Sequence, residues 1–237
     1  MKSLLVVGAS SEVGSALIKK VADSYDAVWA HYFHWNDKLQ ELQDLFGDKM
    51  QFVSADLSSV ESMENMVAKI KETEYVPDHI VHFPMTKIQA QNFPKVPWDS
   101  FDKGWNVSVR SAVLLSQAFL PAMKKKKAGK IIYMLSSAVV DTPPKYESSY
   151  VTVKYAMLGL MKSLAAEYFG TGICINGVSP DMIQTKFLSD LPALLVEQYS
   201  QSRPKNKILS VEEILPTFEY LLSDGADHIN GENICIK

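Results

Sequence analysis

Short apolar runs alternate with segments of helical periodicity along almost the whole chain. The apolar runs occupy residues 3–7, 27–31, 50–54, 79–83, 130–135, 172–178 and 232–236, and the helical segments occupy residues 11–24, 36–46, 59–73, 101–125, 148–169 and 211–223. Strands that are apolar on both faces are typical of parallel sheets covered by helices on both sides. The alternation therefore predicts a doubly wound α/β fold with about seven parallel strands. Such a fold binds ligands at the carboxyl ends of the strands, where the strand order reverses.

Composition restricts the kind of partner. A chain of 237 residues that is 47% hydrophobic fits a single domain over residues 1–237. The net charge of −3 and a basic cluster confined to residues 124–130, at the end of an apolar helix, argue against nucleic acid. No apolar stretch reaches the ~18 residues of a membrane span, and the first run is too short for a signal peptide. Cys174 and Cys235 lie in apolar runs and suggest free thiols. We therefore expect a cytoplasmic protein without a membrane or nucleic-acid partner.

The first apolar run leads directly into GASSEVGSAL, residues 8–17. A glycine turn between a strand and a helix lets the backbone approach a pyrophosphate, and the helix N-terminus supplies unpaired N–H groups. Gly8 and Gly14 have this arrangement, which also occurs in tight turns that bind nothing. Glu12 lies between them, where an anion-binding loop ordinarily carries no negative charge. If the loop binds phosphates, its backbone must pass close to them while the Glu12 carboxylate points to solvent.

A Ser-x12-Tyr-x3-Lys pattern in the middle of the chain points to acid–base chemistry. Ser137 follows a predicted strand, and Tyr150 and Lys154 open a long amphipathic helix. Residues at i and i+4 share one helix face, so the ammonium can lie near the phenol. A nearby cation favours the phenolate and lowers the pKa of a tyrosine towards that of a general acid or base. Ser137 can then donate a hydrogen bond to a carbonyl or hydroxyl of the substrate.

Together these residues resemble the short-chain dehydrogenase/reductase family, of the compact single-domain type. The resemblance covers essentially the whole chain, and its motifs occur in the family's order: the glycine loop Gly8–Gly14, Asp56 in SADLS, Asn106 in WNVSVRSA, Ser137, Tyr150, Lys154 and the run NGVSPDMIQT at 176–185. The resemblance implies a Rossmann fold. It also implies an NAD(P)-dependent oxidoreductase that transfers a hydride between a nicotinamide and a carbonyl or secondary alcohol.

The resemblance also implies roles for individual side chains. Tyr150 would protonate or deprotonate the reacting oxygen, and Ser137 would orient that oxygen. Lys154 would lower the pKa of Tyr150 and bind the nicotinamide ribose, while Asn106 would hold a water molecule that relays protons. The cofactor-binding residues would be Gly8, Ser10, Ser11, Glu12, Val13, Gly14, Asp56, Leu57, Tyr150, Lys154, Ile183 and Thr185.

Within this set, Asp56 and Leu57 would lie along the adenine, and Ile183 and Thr185 near the nicotinamide carboxamide. Structural alternatives stay open for three of the residues. Asp56 can cap the helix that starts near Ser59, Asn106 can bend a helix, and Thr185 can begin the next helix.

The chain departs from the family pattern at four places. Glu12 replaces the middle glycine of the loop, and residues 82–85 read His-Phe-Pro-Met where the family has Asn-Asn-Ala-Gly. Asp181 replaces the glycine of the Pro-Gly turn, beside the expected nicotinamide. The chain ends at Lys237, without the Asp-Gly-Gly of the family. The first three changes line the expected cofactor groove, so they bear on cofactor binding more than on the catalytic residues.

The choice between NADP and NAD depends on the end of the second strand. An acidic residue there would accept the ribose 2′-OH of NAD, and an arginine would suit the phosphate of NADP. The segment AHYFHWNDK carries neither at the strand tip. The missing acid favours NADP, with His34 as a candidate contact, although Ser11 occupies the position of the family's usual basic residue.

Other features have two possible interpretations. His31/His34 and His79/His82 have three-residue spacings, but an odd offset places two rings on opposite faces of a strand, so we expect no metal site. Residues 186–204 form either a lid over the substrate pocket or a plain surface helix. The helices near 105–125 and 150–169 form either an oligomer interface, which the resemblance implies as a dimer or tetramer, or only the cover of the sheet.

Three functions remain open from the sequence. The intact set of Asn106, Ser137, Tyr150 and Lys154 favours the oxidoreductase. Glu12, Pro84 and Asp181 favour a non-catalytic binding or regulatory relative with a degenerate cofactor site. A sugar-nucleotide epimerase or dehydratase of the extended type also uses Tyr-x3-Lys, but 237 residues leave no C-terminal substrate domain for it. The first interpretation is preferred.

Overall fold

The fold is taken from a computed structural model that describes residues 1–188, 193–201 and 207–237. Strands and helices alternate along the chain. The strands are β1 (Ser3–Val7), β2 (Ala27–Tyr32), β3 (Met50–Ser54), β4 (His79–His82), β5 (Gly129–Met134), β6 (Ile173–Pro180) and β7 (Asn233–Ile236). The α-helices within the described residues are α1 (Glu12–Val21), α2 (Asp37–Phe46), α3 (Val60–Lys71), α4 (Trp98–Gly104), α5 (Ser111–Lys126), α6 (Ser148–Glu167), α7 (Ala193–Gln201) and α8 (Val211–Leu222).

The seven strands form one parallel sheet in the order β3-β2-β1-β4-β5-β6-β7. The order reverses between β1 and β4, where Leu4 pairs with His79 and Val7 with His82. This is the doubly wound sheet predicted from the alternation, so the predicted fold class is confirmed. The carboxyl ends of β1 and β4 diverge at this point, which is where such sheets bind ligands.

Each face of the sheet carries its own apolar core. Successive side chains of a strand point to opposite faces, and β1 shows the result: Leu4 joins one cluster with Leu17 and Phe218, and Leu5 joins the other with Phe119 and Met157. Helices α1, α2 and α8 therefore cover one face, and α3, α5 and α6 cover the other. The helices start where side chains cap them, as with Ser11, Asn36, Ser59 and Ser210.

Two predicted segments differ in the structure. The single helix predicted over 101–125 is α4 and α5 joined by a π-helical turn, Trp105–Arg110, because periodicity alone does not reveal one extra residue in a turn. Of the segment 186–204, α7 covers 193–201. The predicted lid or surface helix otherwise falls partly outside the described residues, at 189–192 and 202–204.

Candidate functional site

A cavity of about 660 Å³ opens at the carboxyl ends of the strands. Its walls come from the segments that follow β1, β2, β4, β5 and β6, and from the first turns of α6. The cavity brings together these predicted site residues: Ser10, Ser11, Glu12, Val13, Ser137, Tyr150, Lys154, Ile183 and Thr185. Residues separated by up to 175 positions in the chain thus share one cleft.

The glycine loop has a geometry that only glycine permits at two positions. Gly8 adopts a φ of +86°, and a Cβ on Gly14 would lie 2.4 Å from the Gly8 carbonyl oxygen. The Ser11 hydroxyl donates to that carbonyl at 2.8 Å and accepts from the Gly14 N–H at 3.0 Å. The loop is therefore closed on itself, and the N-terminus of α1 faces the cavity.

A histidine on the neighbouring strand holds this loop in place. The Gly8 N–H donates to Nδ1 of His31 at 3.1 Å, and Nε2 of the same ring lies 3.2 Å from the Ala55 carbonyl oxygen. The ring must be neutral to accept at Nδ1 while donating at Nε2. Burial agrees with this, because it lowers the pKa of His31 to about 4.

The Glu12 carboxylate does not point to solvent, and this part of the sequence interpretation was wrong. Glu12 Oε2 accepts a hydrogen bond of 2.8 Å from the backbone N–H of Lys186, beyond β6. Glu12 is the first residue of α1, so its side chain leaves the helix on the cavity side. The carboxylate thus crosses the cleft between the glycine loop and the segment that contains Thr185.

Two residues after β2 also line the cavity, and sequence reasoning did not identify them. Asn36 caps α2, and its Nδ2 donates to the Ser10 carbonyl oxygen at 2.9 Å. Lys38, in the first turn of α2, also lies in the cavity wall. An N-cap pattern at Asn36 was the available signal, because it places the next residues of α2 beside the glycine loop.

Ser137, Tyr150 and Lys154 all line the cavity. The Lys154 ammonium lies 5.7 Å from the centre of the Tyr150 ring and donates to the Met134 carbonyl oxygen at 2.8 Å. Burial lowers the pKa of Lys154 to about 7. Burial also raises the pKa of Tyr150 to about 12; a hydrogen bond with Ser136 opposes the rise, and the charges of Glu147 and Tyr199 add to it.

This electrostatic balance corrects one expectation. The structure does not give Tyr150 the lowered pKa that a neighbouring lysine was expected to produce, because desolvation outweighs every other influence on the phenol. Tyr150 is therefore a protonated phenol at neutral pH, positioned to donate. Glu147, partly buried in the same wall, also tends to hold a proton, since burial raises its pKa to about 7.

Asp181 is a carboxylate inside the site. It is 6% exposed, and its Oδ1 accepts from the Ser137 hydroxyl at 3.0 Å and from the Tyr199 hydroxyl. Its backbone N–H donates to the Ile236 carbonyl oxygen, which fixes the residue at the end of β6. The sequence identified Asp181 as a departure from the family, but the contact with Tyr199 of α7 could not be predicted.

Five predicted residues lie outside the cavity wall: Gly8, Gly14, Asp56, Leu57 and Asn106. The two glycines form the back of the loop. The Asp56 carboxylate accepts from the backbone and hydroxyl of Ser58 at 2.8 and 2.7 Å, and these bonds lower its pKa. The side chain of Asn106, in the π-helical turn, donates to Asp102 of α4 at 3.0 Å. The structure therefore does not bring Asp56, Leu57 and Asn106 to the cavity.

The histidine pairs considered as metal ligands are engaged elsewhere. His79 contacts the Tyr25 hydroxyl and His82 contacts the Ser111 hydroxyl, each at 2.8 Å. Within residues 1–188, 193–201 and 207–237, no group of three or more His, Cys, Asp or Glu side chains is arranged to hold a metal ion. Over the same residues, no helix combines the length and the apolar character that crossing a membrane requires.

Comparison with known proteins agrees with this geometry. A family model described as enoyl-(acyl carrier protein) reductase matches residues 8–237. The chain is 26% identical to a 3alpha-hydroxysteroid dehydrogenase of Mediterraneibacter gnavus, over 99% of this chain and 95% of that protein. It is 25% identical to the 3-oxoacyl-(acyl-carrier-protein) reductase of Buchnera aphidicola, over 100% and 96%. The structure of ElxO with NADP bound superimposes with a TM-score of 0.87 at 20% identity, over 99% of this chain and 96% of that one.

Proposed function

The chain belongs to the short-chain dehydrogenase/reductase family and is an NAD(P)-dependent oxidoreductase, and on that premise we propose that Tyr150 is its general acid and base towards a carbonyl or secondary alcohol. The observation that carries the proposal is the single cavity. It joins Ser137, Tyr150 and Lys154 to the glycine loop and to Ile183 and Thr185. A hydride donor and its acceptor need this continuity, because the reacting atoms must come within about 3–3.5 Å of each other.

The residues of the glycine loop fit a dinucleotide. Ser10, Ser11 and Val13 would surround the pyrophosphate at the N-terminus of α1, where Gly14 leaves the backbone uncovered. Ile183 and Thr185 would contact the carboxamide. Glu12 is the exception, because its carboxylate crosses the cleft and has to release the Lys186 N–H. Once bound, the nicotinamide supplies the hydride chemistry that no protein side chain provides.

The chain's own residues supply the proton and the orientation. In the reductive direction the protonated Tyr150 gives its proton to the substrate oxygen, and in the oxidative direction the phenolate takes it back. Lys154, held by the Met134 carbonyl, stabilises the phenolate as its negative charge develops. Ser137 contacts the same oxygen. A proton relay through Asn106 remains a proposal that rests on the family alone.

We propose NADP as the preferred cofactor. A ribose 2′-phosphate needs a cation and the absence of a carboxylate after β2. Lys38 lines the cavity two residues after Asn36, and no acidic side chain stands at the tip of β2. Lys38 therefore replaces His34 as the candidate phosphate contact, because His34 does not line the cavity.

The substrate is a secondary alcohol or its ketone. The cavity that holds the polar catalytic residues is also lined by the apolar side chains of Met85, Ile88, Met182 and Leu188, which suits a hydrocarbon next to the reacting carbon. The names of the two relatives above each contain a hydroxy or oxo group. Both features support this class without selecting a member of it.

Three further expectations are proposals too. A single domain over residues 1–237 is supported by one sheet with a core on each face. A homo-oligomer, dimer or tetramer, is supported by the exposed rings of Trp98, Trp105 and Tyr155 on the face built by α4, α6 and the π-helical turn. A cytoplasmic location is supported by the free thiols of Cys174 and Cys235.

The direct test combines cofactor binding with loss of the acid. NADPH and NADH are titrated by fluorescence, and a panel of ketones is assayed by loss of reduced-nicotinamide absorbance. Tyr150→Phe should lower kcat by about 10²–10⁴-fold and leave the cofactor Kd within about twofold, since it removes only the transferred proton. Failure of both cofactors to bind, or activity that survives in Tyr150→Phe, would refute the proposal.

A further inference from the structure

Asp181 places a negative charge where the two reacting partners meet. Its carboxylate is buried and accepts hydrogen bonds from Ser137 and Tyr199. Both hydroxyls donate to the same carboxylate oxygen, Oδ1. The glycine that the family carries at this position has neither the charge nor the hydrogen bonds.

The first consequence concerns Ser137. Its single hydroxyl hydrogen is directed to Asp181 Oδ1 at 3.0 Å, so the serine oxygen offers only lone pairs to a ligand. A carbonyl oxygen also offers only lone pairs, and the one O–H of a reacting alcohol is needed by the Tyr150 phenolate. Ser137 in this orientation therefore donates no hydrogen bond to the substrate oxygen.

The second consequence concerns the cofactor. A nicotinamide that exchanges a hydride with a carbon whose oxygen contacts Ser137 must lie beside the carboxylate that holds Ser137. Ile183 and Thr185, the proposed carboxamide contacts, follow Asp181 by two and four residues on the same segment. The oxidised nicotinamide ring carries a positive charge that the reduced ring lacks. A buried carboxylate beside the ring stabilises its positive charge.

We propose that Asp181 is a specificity-determining residue that favours the oxidised cofactor over the reduced cofactor, an inference that rests on the proposed function. With the oxidised cofactor, the alcohol carbon gives its hydride to the nicotinamide and the hydroxyl proton goes to the Tyr150 phenolate. The C–H and O–H bonds break, and a ketone and reduced cofactor result. The site is thereby biased towards the cofactor form that oxidises a secondary alcohol.

The test needs no knowledge of the substrate. The dissociation constants of NADP⁺ and NADPH, or of NAD⁺ and NADH if those bind better, are measured for the wild type, Asp181→Asn and Asp181→Gly. Loss of a neighbouring charge should raise the ratio of the oxidised to the reduced Kd by about tenfold or more in both variants. Asp181→Gly restores the family residue, so it serves as the second variant if the asparagine disturbs folding.

Two matched variants separate charge from structure. Tyr199→Phe removes a hydrogen bond to Asp181 and keeps its charge. Asp141→Asn removes a carboxylate at the cavity wall that Lys237 already pairs at 2.9 Å. Both should leave the Kd ratio within twofold. A ratio that is unchanged in the Asp181 variants, or that moves equally in Tyr199→Phe, overturns the inference.

A substrate measurement then tests the serine argument. For a ketone found in the panel, Asp181→Gly should lower the KM by about fivefold, the usual worth of one hydrogen bond, because the freed Ser137 hydroxyl can donate to the carbonyl oxygen. A KM that does not fall contradicts the assigned orientation of Ser137. If the wild type binds no dinucleotide, both the proposed function and the inference are refuted. If it binds both forms and the ratio stays fixed, only the inference fails.

Discussion

Replacing Glu12 by glycine should tighten cofactor binding. The Glu12 carboxylate spans the cleft to the Lys186 N–H at 2.8 Å, and a pyrophosphate at the N-terminus of α1 has to displace it. A hydrogen bond to a charged group contributes about 1.5–3 kcal/mol, and the partly exposed setting favours the lower end. The repulsion between the carboxylate and the phosphates adds to this cost. Together these effects predict a decrease of the NADPH Kd by about tenfold in Glu12→Gly.

The same substitution should slightly destabilise the fold. An acidic residue in the first turn of a helix interacts favourably with the helix dipole, typically by about 0.3–1 kcal/mol, and glycine is a poor helix former. Glu61→Gly is the matched control, because Glu61 also lies in the first turn of its helix, as the second residue of α3, and does not line the cavity. We expect both variants to lose stability in urea and only Glu12→Gly to gain affinity.

Glu12→Gln separates the two contributions to the effect. The amide oxygen can still accept from Lys186 while the repulsive charge is gone, so its Kd should lie between those of the wild type and Glu12→Gly. The difference between wild type and Glu12→Gln should shrink as salt is raised from 0.05 to about 0.5 M, because ions screen a charged contact in an open cleft. Fluorescence titration with NADPH measures all of these constants. An unchanged Kd in Glu12→Gly would show that the loop does not approach the phosphates.

The structure also predicts how one more substitution changes cofactor binding and how acid pH changes stability. Lys38→Ala should raise the NADPH Kd by about tenfold and leave the NADH Kd within twofold, because only NADPH carries the 2′-phosphate; equal losses for both cofactors would contradict the assignment. Burial lowers the pKa of His31 to about 4, and of His79 and His82 to about 3. Their stabilising effect is present above pH 6.5 and is lost as the pH falls towards these values, since the unfolded chain binds the protons more tightly. The free energy of unfolding in urea should be at least about 3 kcal/mol smaller at pH 4 than at pH 7. Equal free energies of unfolding at the two pH values would show that these rings are not held neutral.

The fold could be predicted from local pattern because each strand has its own apolar run. All seven runs correspond to strands, and the ends of β1 and β3 fall on the predicted residues. The join between α4 and α5 could not be predicted in the same way. A π-helical turn keeps the apolar character of a helix and changes only its hydrogen bonding.

The site was predictable where spacing along one element determines geometry. Tyr150 and Lys154 share a helix face, and Gly8 and Gly14 share a loop. The Glu12–Lys186 and Asp181–Tyr199 contacts depend on which segments the sheet order brings together. Glu12 and Lys186 are 174 positions apart, and no local periodicity carries that information. The raised pKa of Tyr150 could not be predicted from the spacing either, because the burial that raises it is a property of the whole fold.

The π-helical turn also determines how this chain tolerates insertions and deletions. Each residue of an α-helix turns the chain by about 100°, so the extra residue in Trp105–Arg110 sets the orientation of α4 relative to α5. In this orientation a Cβ on Gly104 would lie 3.1 Å from Val153 of α6, while the Ser111 hydroxyl reaches His82 on β4. Deleting one residue would rotate one of these contacts away from its partner. Point substitutions in the turn leave the angle intact, so the length of this segment is under stricter constraint than most of its side chains.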